Sequence, residues 1–220
     1  MLVFLNNIRC VEKKISIKRQ MINTVAIMFF GILLGAFSKF LDNTPINRLP
    51  FFFGYLDIVN FQGRFAIWVF LALCVSVYSI SPIRAAINAF VFFVGMVTSY
   101  YLYSNYIAGF FPKSYAMIWV GFTAVSPVLA FLCWYAKGRG KVSLILAAGI
   151  IAVLFNMTFV YRLPSYINIR SALELLIFIC GCVVLRRKSA KETVLMMVAG
   201  VVLAPILDVV IPFNFIFHFG

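Results

Sequence analysis

Seven apolar blocks, at roughly residues 21–40, 65–81, 83–103, 115–136, 142–161, 170–185 and 194–213, alternate with short polar segments, and this alternation constrains the fold more than any other feature. The hydrocarbon core of a bilayer is about 30 Å thick, a distance that about 20 helical residues cross, and several of the blocks fall somewhat short of that length. Lipid offers no partner to a bare backbone N–H or C=O, so a block that crosses must be helical. Apolar residues make up 64% of the chain and charged residues 11%, with a mean hydropathy of +1.05. A soluble domain, about half apolar and a quarter charged, has no room to hide that much apolar surface. The expected fold is all-α: a polytopic transmembrane helix bundle of about seven spans, one domain over residues 21–220 behind a basic segment 1–20.

The net charge of +13 raises the question of a nucleic-acid partner, and the placement of the charges argues against one. The cations lie between apolar blocks rather than along one basic face. With the N-terminus in the cytoplasm, the inner side holds Arg9, Lys13, Lys14, Lys18, Arg19, Arg84, Lys137, Arg139, Lys141, Arg186, Arg187, Lys188 and Lys191. The outer side holds Lys39, Arg48, Arg64, Lys113, Arg162 and Arg170. Two of the inner clusters occupy very short loops, where the positive-inside bias is most informative, and an odd number of spans puts the C-terminus outside. Tyr100, Tyr101, Tyr103, Tyr106, Trp119, Tyr161 and Tyr166 fall at the outer interface and Trp134 and Tyr135 at the inner one, as aromatic anchors do.

Residues 1–20 interleave their cations with Leu5, Ile8, Val11, Ile15 and Ile17, a pattern suited to an amphipathic helix on the cytoplasmic leaflet. The basic stretch and the block after it lack a small-residue cleavage site and read as a retained signal anchor; Met21 is an alternative start. Five cysteines give no disulfide framework. Cys180 and Cys182, two residues apart on a helix, point in directions about 200° apart and read as apolar filler. Gly31 and Gly35 form a small-xxx-small face that permits close helix packing.

Catalytic chemistry has little to work with. The single histidine is His218, and the Gly-x-Ser-x-Gly, His-Glu-x-x-His and Cys-x-x-Cys patterns are all missing, so we expect no enzyme, cofactor or metal. Ionisable residues within spans are costly and therefore the default functional candidates. Glu174 lies one turn after Arg170, a spacing that also suits a simple ion pair tidying a helix end. Asp208 follows Pro205, which removes a helical hydrogen bond and can open a polar cavity. Counted from Val194, it lies about 21 Å along the last span, in the outer half of the membrane. Asn156 falls at a similar depth, and Lys39 and Asp42 mark the outer end of the first span. The expected site is an outward-facing polar pocket built from Asp208, Glu174, Asn156, Asp42, Lys39, Arg64 and Arg170. Residues 50–61 (PFFFGYLDIVNF) are too apolar for a solvated linker and too few to cross; they suit an interfacial helix, or a lid over such a pocket.

Residues 31–45 (GILLGAFSKFLDNTP), 81–89 (SPIRAAINA) and 134–138 (WYAKG) resemble a group of small multi-pass membrane proteins of Gram-positive bacteria with no assigned activity. The resemblance implies a multi-pass architecture in a bacterial cell membrane and carries no site residues. Size and helix number also resemble those of vitamin-binding transporter subunits, without their motifs. A small-solute transport protein or substrate-capturing subunit is the expected function. The alternative is a non-catalytic assembly protein that docks a cytoplasmic partner through Lys137, Arg139, Lys141, Arg186, Arg187 and Lys188.

Overall fold

The computed structural model describes residues 2–11, 15–162 and 165–211. They are nearly all helical. In chain order the elements are α1 (Leu2–Ile8), α2 (Ile17–Asn43), a 3-10 turn (Ile46–Arg48), α3 (Phe51–Tyr55), α4 (Ile58–Gly63), α5 (Phe65–Val77), α6 (Pro82–Tyr106), α7 (Lys113–Ala136), α8 (Gly140–Thr158), β1 (Phe159–Arg162), β2 (Tyr166–Ile169), α9 (Ala172–Leu185) and α10 (Ala190–Val210). Five helices, α2, α6, α7, α8 and α10, are long and apolar enough to cross a membrane. Two shorter apolar helices accompany them, α5 with 13 residues and α9 with 14.

The boundaries that differ from the sequence reading have local causes. The fifth block, expected to stay helical to Tyr161, leaves the helix after Thr158 and enters an antiparallel hairpin, Phe159 paired with Ile169 and Arg162 with Tyr166. Its aromatic and β-branched residues are as apolar as a span but favour strand. The second block stops at Val77 because Ser81 caps a new helix, its hydroxyl accepting from the Arg84 N–H at 3.2 Å, with Pro82 in the first turn. The basic segment is helical over Leu2–Ile8, and from Ile17 the chain already belongs to α2. Of the last block, residues 212 and 213 lie outside the described residues, as does His218.

The chain forms two compact units from interleaved segments. The first comprises residues 11–50 and 75–134. Its centre is the pair α2 and α6, whose contacts advance together along both helices: Thr24 meets Asn88, Gly95 meets Met28, Gly31 meets Phe92, and Gly35 meets Met96 and Ser99. The two helices therefore run parallel. Glycine makes that approach possible; a Cβ on Gly31 or Gly35 would overlap the α6 backbone, and one on Gly95 would lie 2.6 Å from the Met28 carbonyl oxygen. Phe92 and Phe93 are fully buried, and Phe93 meets Phe122 edge to face at 5.4 Å.

The second unit comprises residues 1–10, 51–74 and 135–220. Here α8 and α10 run parallel, with Gly200 against Ile151 and Ala148, and Asn156 against Ala204. Helix α9 returns antiparallel beside α8, from Glu174 near Thr158, past Gly181 at Leu154, to Arg187 near Ser143. Small buried residues (Ala147, Ala148, Ala152, Ala204) let these backbones approach closely.

Candidate functional site

The hairpin sets the geometry at one end of the α8–α9–α10 unit. The Arg170 N–H donates to the Thr158 carbonyl at 2.9 Å, and the Thr158 hydroxyl donates to the Glu174 carbonyl at 3.1 Å. The end of α8 is thus tied to the start of α9. Ser171 caps α9 by accepting from the Glu174 N–H at 3.2 Å, which fixes Glu174 in the first turn of the helix. On another segment, Arg64 follows the last turn of α4, whose first residue is preceded by Asp57 in the left-handed region, φ 54°. An aspartate tolerates that conformation better than most residues. Asp57 accepts from Asn60 at 2.6 Å and pairs with Arg64 at 3.3 Å.

These pieces bring Arg64 to Glu174. Its Nη1 lies 3.5 Å from Glu174 Oε1, while Arg170 Nε lies 3.9 Å from Oε2. The carboxylate is 1% exposed. Burying an ionised carboxylate costs several kcal/mol unless partners compensate, and here two guanidiniums flank it. Burial pulls the Arg170 guanidinium below its ordinary range; Glu174 opposes that shift and the like charge of Arg64 adds to it. The i,i+4 pair foreseen from spacing is present, but as one limb of a buried triad. Around it lies a cavity of about 20 Å³, lined by Arg64, Arg170, Glu174, Asn156 and the apolar Phe65, Ala66 and Met157. That volume accommodates a single water-sized group. Glu174 Oε2 and Arg64 Nη1 are both buried there without a well-directed hydrogen bond.

Asn156 connects this cavity to α10. Its amide donates to the Ala204 carbonyl at 2.8 Å, immediately before Pro205, and its carbonyl accepts from the Tyr161 hydroxyl at 2.7 Å. Burial, and then the negative charge of Asp208, push the Tyr161 phenol up to about 12. Asp208 itself sits in the last turn of α10, because that helix starts at Ala190 and ends at Val210. Of the seven expected site residues, Arg64, Asn156, Arg170 and Glu174 line one cavity; Asp208 is not part of its lining, and its charge acts on Tyr161.

Lys39 and Asp42 belong to the other unit, where both meet Tyr100. The hydroxyl of Tyr100 donates to Asp42, and the buried Lys39 ammonium lies 5.2 Å from the centre of the Tyr100 ring, within cation–π range.

The basic loops are partly consumed inside the chain. Arg187 is 7% exposed and donates through Nη1 to the Gly138 carbonyl at 2.6 Å and the Ser143 hydroxyl at 2.9 Å. Lys137 donates to the carbonyls of Val184 and Arg186. Burial, together with the like charges of Arg187 and Arg9, holds the Lys137 ammonium below its usual range. The Arg139 N–H donates to the Ile8 carbonyl at 2.7 Å, tying α1 to the same corner. Arg139, Lys141, Arg186 and Lys188 remain exposed.

Sequence reasoning did not single out Tyr161 or Tyr100 as site residues, having read both as interfacial anchors. A tyrosine beside a hairpin and one beside a buried lysine look like any other aromatic near a span end. No family model matches the chain, and no curated protein or solved structure is significantly similar to it.

Proposed function

We propose that the protein is a small-solute membrane transport protein, or the solute-capturing subunit of a transporter, and that its polar site is the Arg64–Glu174–Arg170 cluster. The observation that carries this reading is the burial of the Glu174 carboxylate between two guanidiniums at the end of an otherwise apolar bundle, beside a cavity that Asn156 also lines. Ionisable groups are retained at such positions chiefly for function. Asp57 pairs with Arg64 as Glu174 does, so the cluster is balanced in charge, and a solute that enters it is small and carries an anionic group able to take over the guanidinium contacts of Glu174. At about 20 Å³ the cavity corresponds to a closed state, and admission of solute requires Arg64 or α9 to move.

The same reading takes all seven apolar helices as crossings. Parallel α2 and α6 require the chain to return between them, and α5 is the apolar helix available. Parallel α8 and α10 likewise require α9 to return, and its 14 residues, about 21 Å, extend from the Thr158 level to the Ser143 level of α8. A short span is accommodated by local thinning and by flanking polar residues. The basic ends face the cytoplasm and the Glu174 end faces outward, in the cell membrane of a bacterium of the Gram-positive kind that the sequence resembles.

Native mass spectrometry of gently extracted protein, joined to uptake assays in cells, tests this. We expect a bound small molecule that is lost in Glu174→Gln and Arg64→Gln, with uptake reduced in both and in Asp208→Asn. The reading would be falsified if no small molecule were ever retained and all three variants took up solute normally. A second reading, docking of a cytoplasmic partner, is favoured by the four exposed cations Arg139, Lys141, Arg186 and Lys188. Pull-down lost on neutralising those four, with no ligand detected, would support it instead.

A further inference from the structure

A cleft in the 11–50 and 75–134 unit lies far along α2 from Asp42, at the end that carries Lys18, Arg19 and Arg84. Its volume is about 290 Å³. We propose that this cleft is a binding site for an anionic phospholipid, with Arg84 as the residue that holds the phosphate. Its lining is divided in character: Ile27, Val75 and Ile80 are apolar, while Arg84, Asn23 and Gln20 are polar. A lining of that kind suits a ligand with a hydrocarbon part and a charged head, and the volume sits at the small end of ligand sites, enough for a headgroup and the start of its chains.

Charge decides the sign of the headgroup. Among the described residues Arg84 makes no ion pair, and the only described acid in this unit is Asp42, 22 residues further along α2 than Gln20, or about 33 Å. A guanidinium is the group best shaped to hold phosphate oxygens in pairs, and it needs no deprotonation to do so. Lys18 and Arg19, exposed on the first turn of α2, add to the positive field.

The cleft is also braced. The Thr24 hydroxyl donates to the Asn88 side-chain carbonyl at 2.7 Å, and the Asn88 amide donates to the Ser79 hydroxyl at 3.0 Å. The Ser79 carbonyl accepts from the Trp134 indole at 2.8 Å. These bonds join α2, α6, α7 and the turn before Ser81. Asn88 is therefore spent on holding the walls, and Arg84, four residues earlier on α6, is left to the ligand. A wall fixed beforehand lowers the ordering cost of binding.

The test is native mass spectrometry of full-length protein from nanodiscs of mixed phosphatidylglycerol and phosphatidylcholine. Wild type should retain phosphatidylglycerol in preference to phosphatidylcholine, and Arg84→Gln should reduce that preference about fivefold, the factor expected for one cation at an anionic surface. Lys141→Gln should leave it unchanged. Ala26→Phe, which fills the cleft without altering any charge, should abolish the preference, and it keeps the test decisive if Arg84→Gln folds poorly. Added glycerol phosphate distinguishes a lipid from a soluble phosphate ester: competition that depends on Arg84 would overturn the lipid assignment in favour of the soluble ester. Unchanged phosphatidylglycerol retention in both cleft variants would overturn the site altogether.

Discussion

Arg64 stands 3.5 Å from Glu174 although α5, α6, α7, α8 and the hairpin all lie between them in the chain. With Arg170 the pair forms a triad in which two partly exposed cations share one buried acid. Removal of one member of a buried charge pair leaves the other uncompensated, which costs about 3–5 kcal/mol in a dry site. Arg64 is partly open to solvent, so its own removal should cost less. Unfolding of Glu174→Ala, Arg64→Ala and the double variant in detergent should therefore give a loss for the double variant well below the sum of the singles, with a coupling of about 1–3 kcal/mol. Additive losses would mean that the two side chains do not depend on each other.

The glycine contacts of α2 make a different demand. Gly35→Leu places a branched side chain where the Met96 carbonyl and Ser99 hydroxyl already stand, so α2 and α6 must separate. Overpacking of this kind costs about 1–3 kcal/mol. Thermal unfolding in detergent should show the loss for Gly35→Leu and for Gly31→Leu. Gly149→Ala, inside α8 where a Cβ meets nothing within 4 Å, should be at least as stable as wild type.

Tyr161 supplies a pH dependence with a definite sign. Its folded pKa, pushed up to about 12 by burial and by Asp208, lies above its ordinary value of 10.0. A raised phenol pKa means that the neutral form is favoured by folding: the contribution is complete below pH 10 and is lost as pH rises through 12. The neutral hydroxyl is also the donor to Asn156. Tyr161→Phe should cost about 1 kcal/mol near neutrality, the worth of one hydrogen bond, and should flatten the alkaline loss of stability between pH 10 and 12. An alkaline stability curve identical in wild type and variant would refute the shift.

Topology can be read by chemistry from either side of the membrane. In intact cells a membrane-impermeant thiol reagent should label Arg162→Cys at once and Lys141→Cys only after permeabilisation, both positions being exposed. Labelling of Lys141→Cys in intact cells would reverse the orientation.

Much of this was legible in the residues. The apolar blocks located every long helix, because a bilayer requires contiguous length and little else. Gly31 and Gly35 announced a close helix contact, though not its partner: the glycines declare that a backbone approaches without saying that it is Phe92 and Met96 of α6. The ends of the fifth and sixth blocks were obscure for a chemical reason, since Phe159, Val160 and Tyr161 have the hydropathy of a span and the preference of a strand. At the site, Arg170 and Glu174 were visible as an i,i+4 pair, whereas Arg64 was expected only as one of seven residues around a pocket and not as a direct partner of Glu174, because a contact made by tertiary folding leaves no spacing in the sequence. Lys137 and Arg187 looked like solvated loop charges; their use as internal clamps depends on carbonyls that the ends of α7 and α9 leave open.

The hairpin between α8 and α9 has a mechanical consequence. A two-stranded ribbon has unpaired edges, and all four residues of β2 are exposed, so it cannot be drawn into hydrocarbon. It therefore acts as a draught mark on the molecule. On the reading in which α8 and α9 both cross, a thinner or thicker membrane is met by tilting rather than by sliding along the bilayer normal, and the tilt acts at the junction where Thr158 holds Arg170 and Glu174 together.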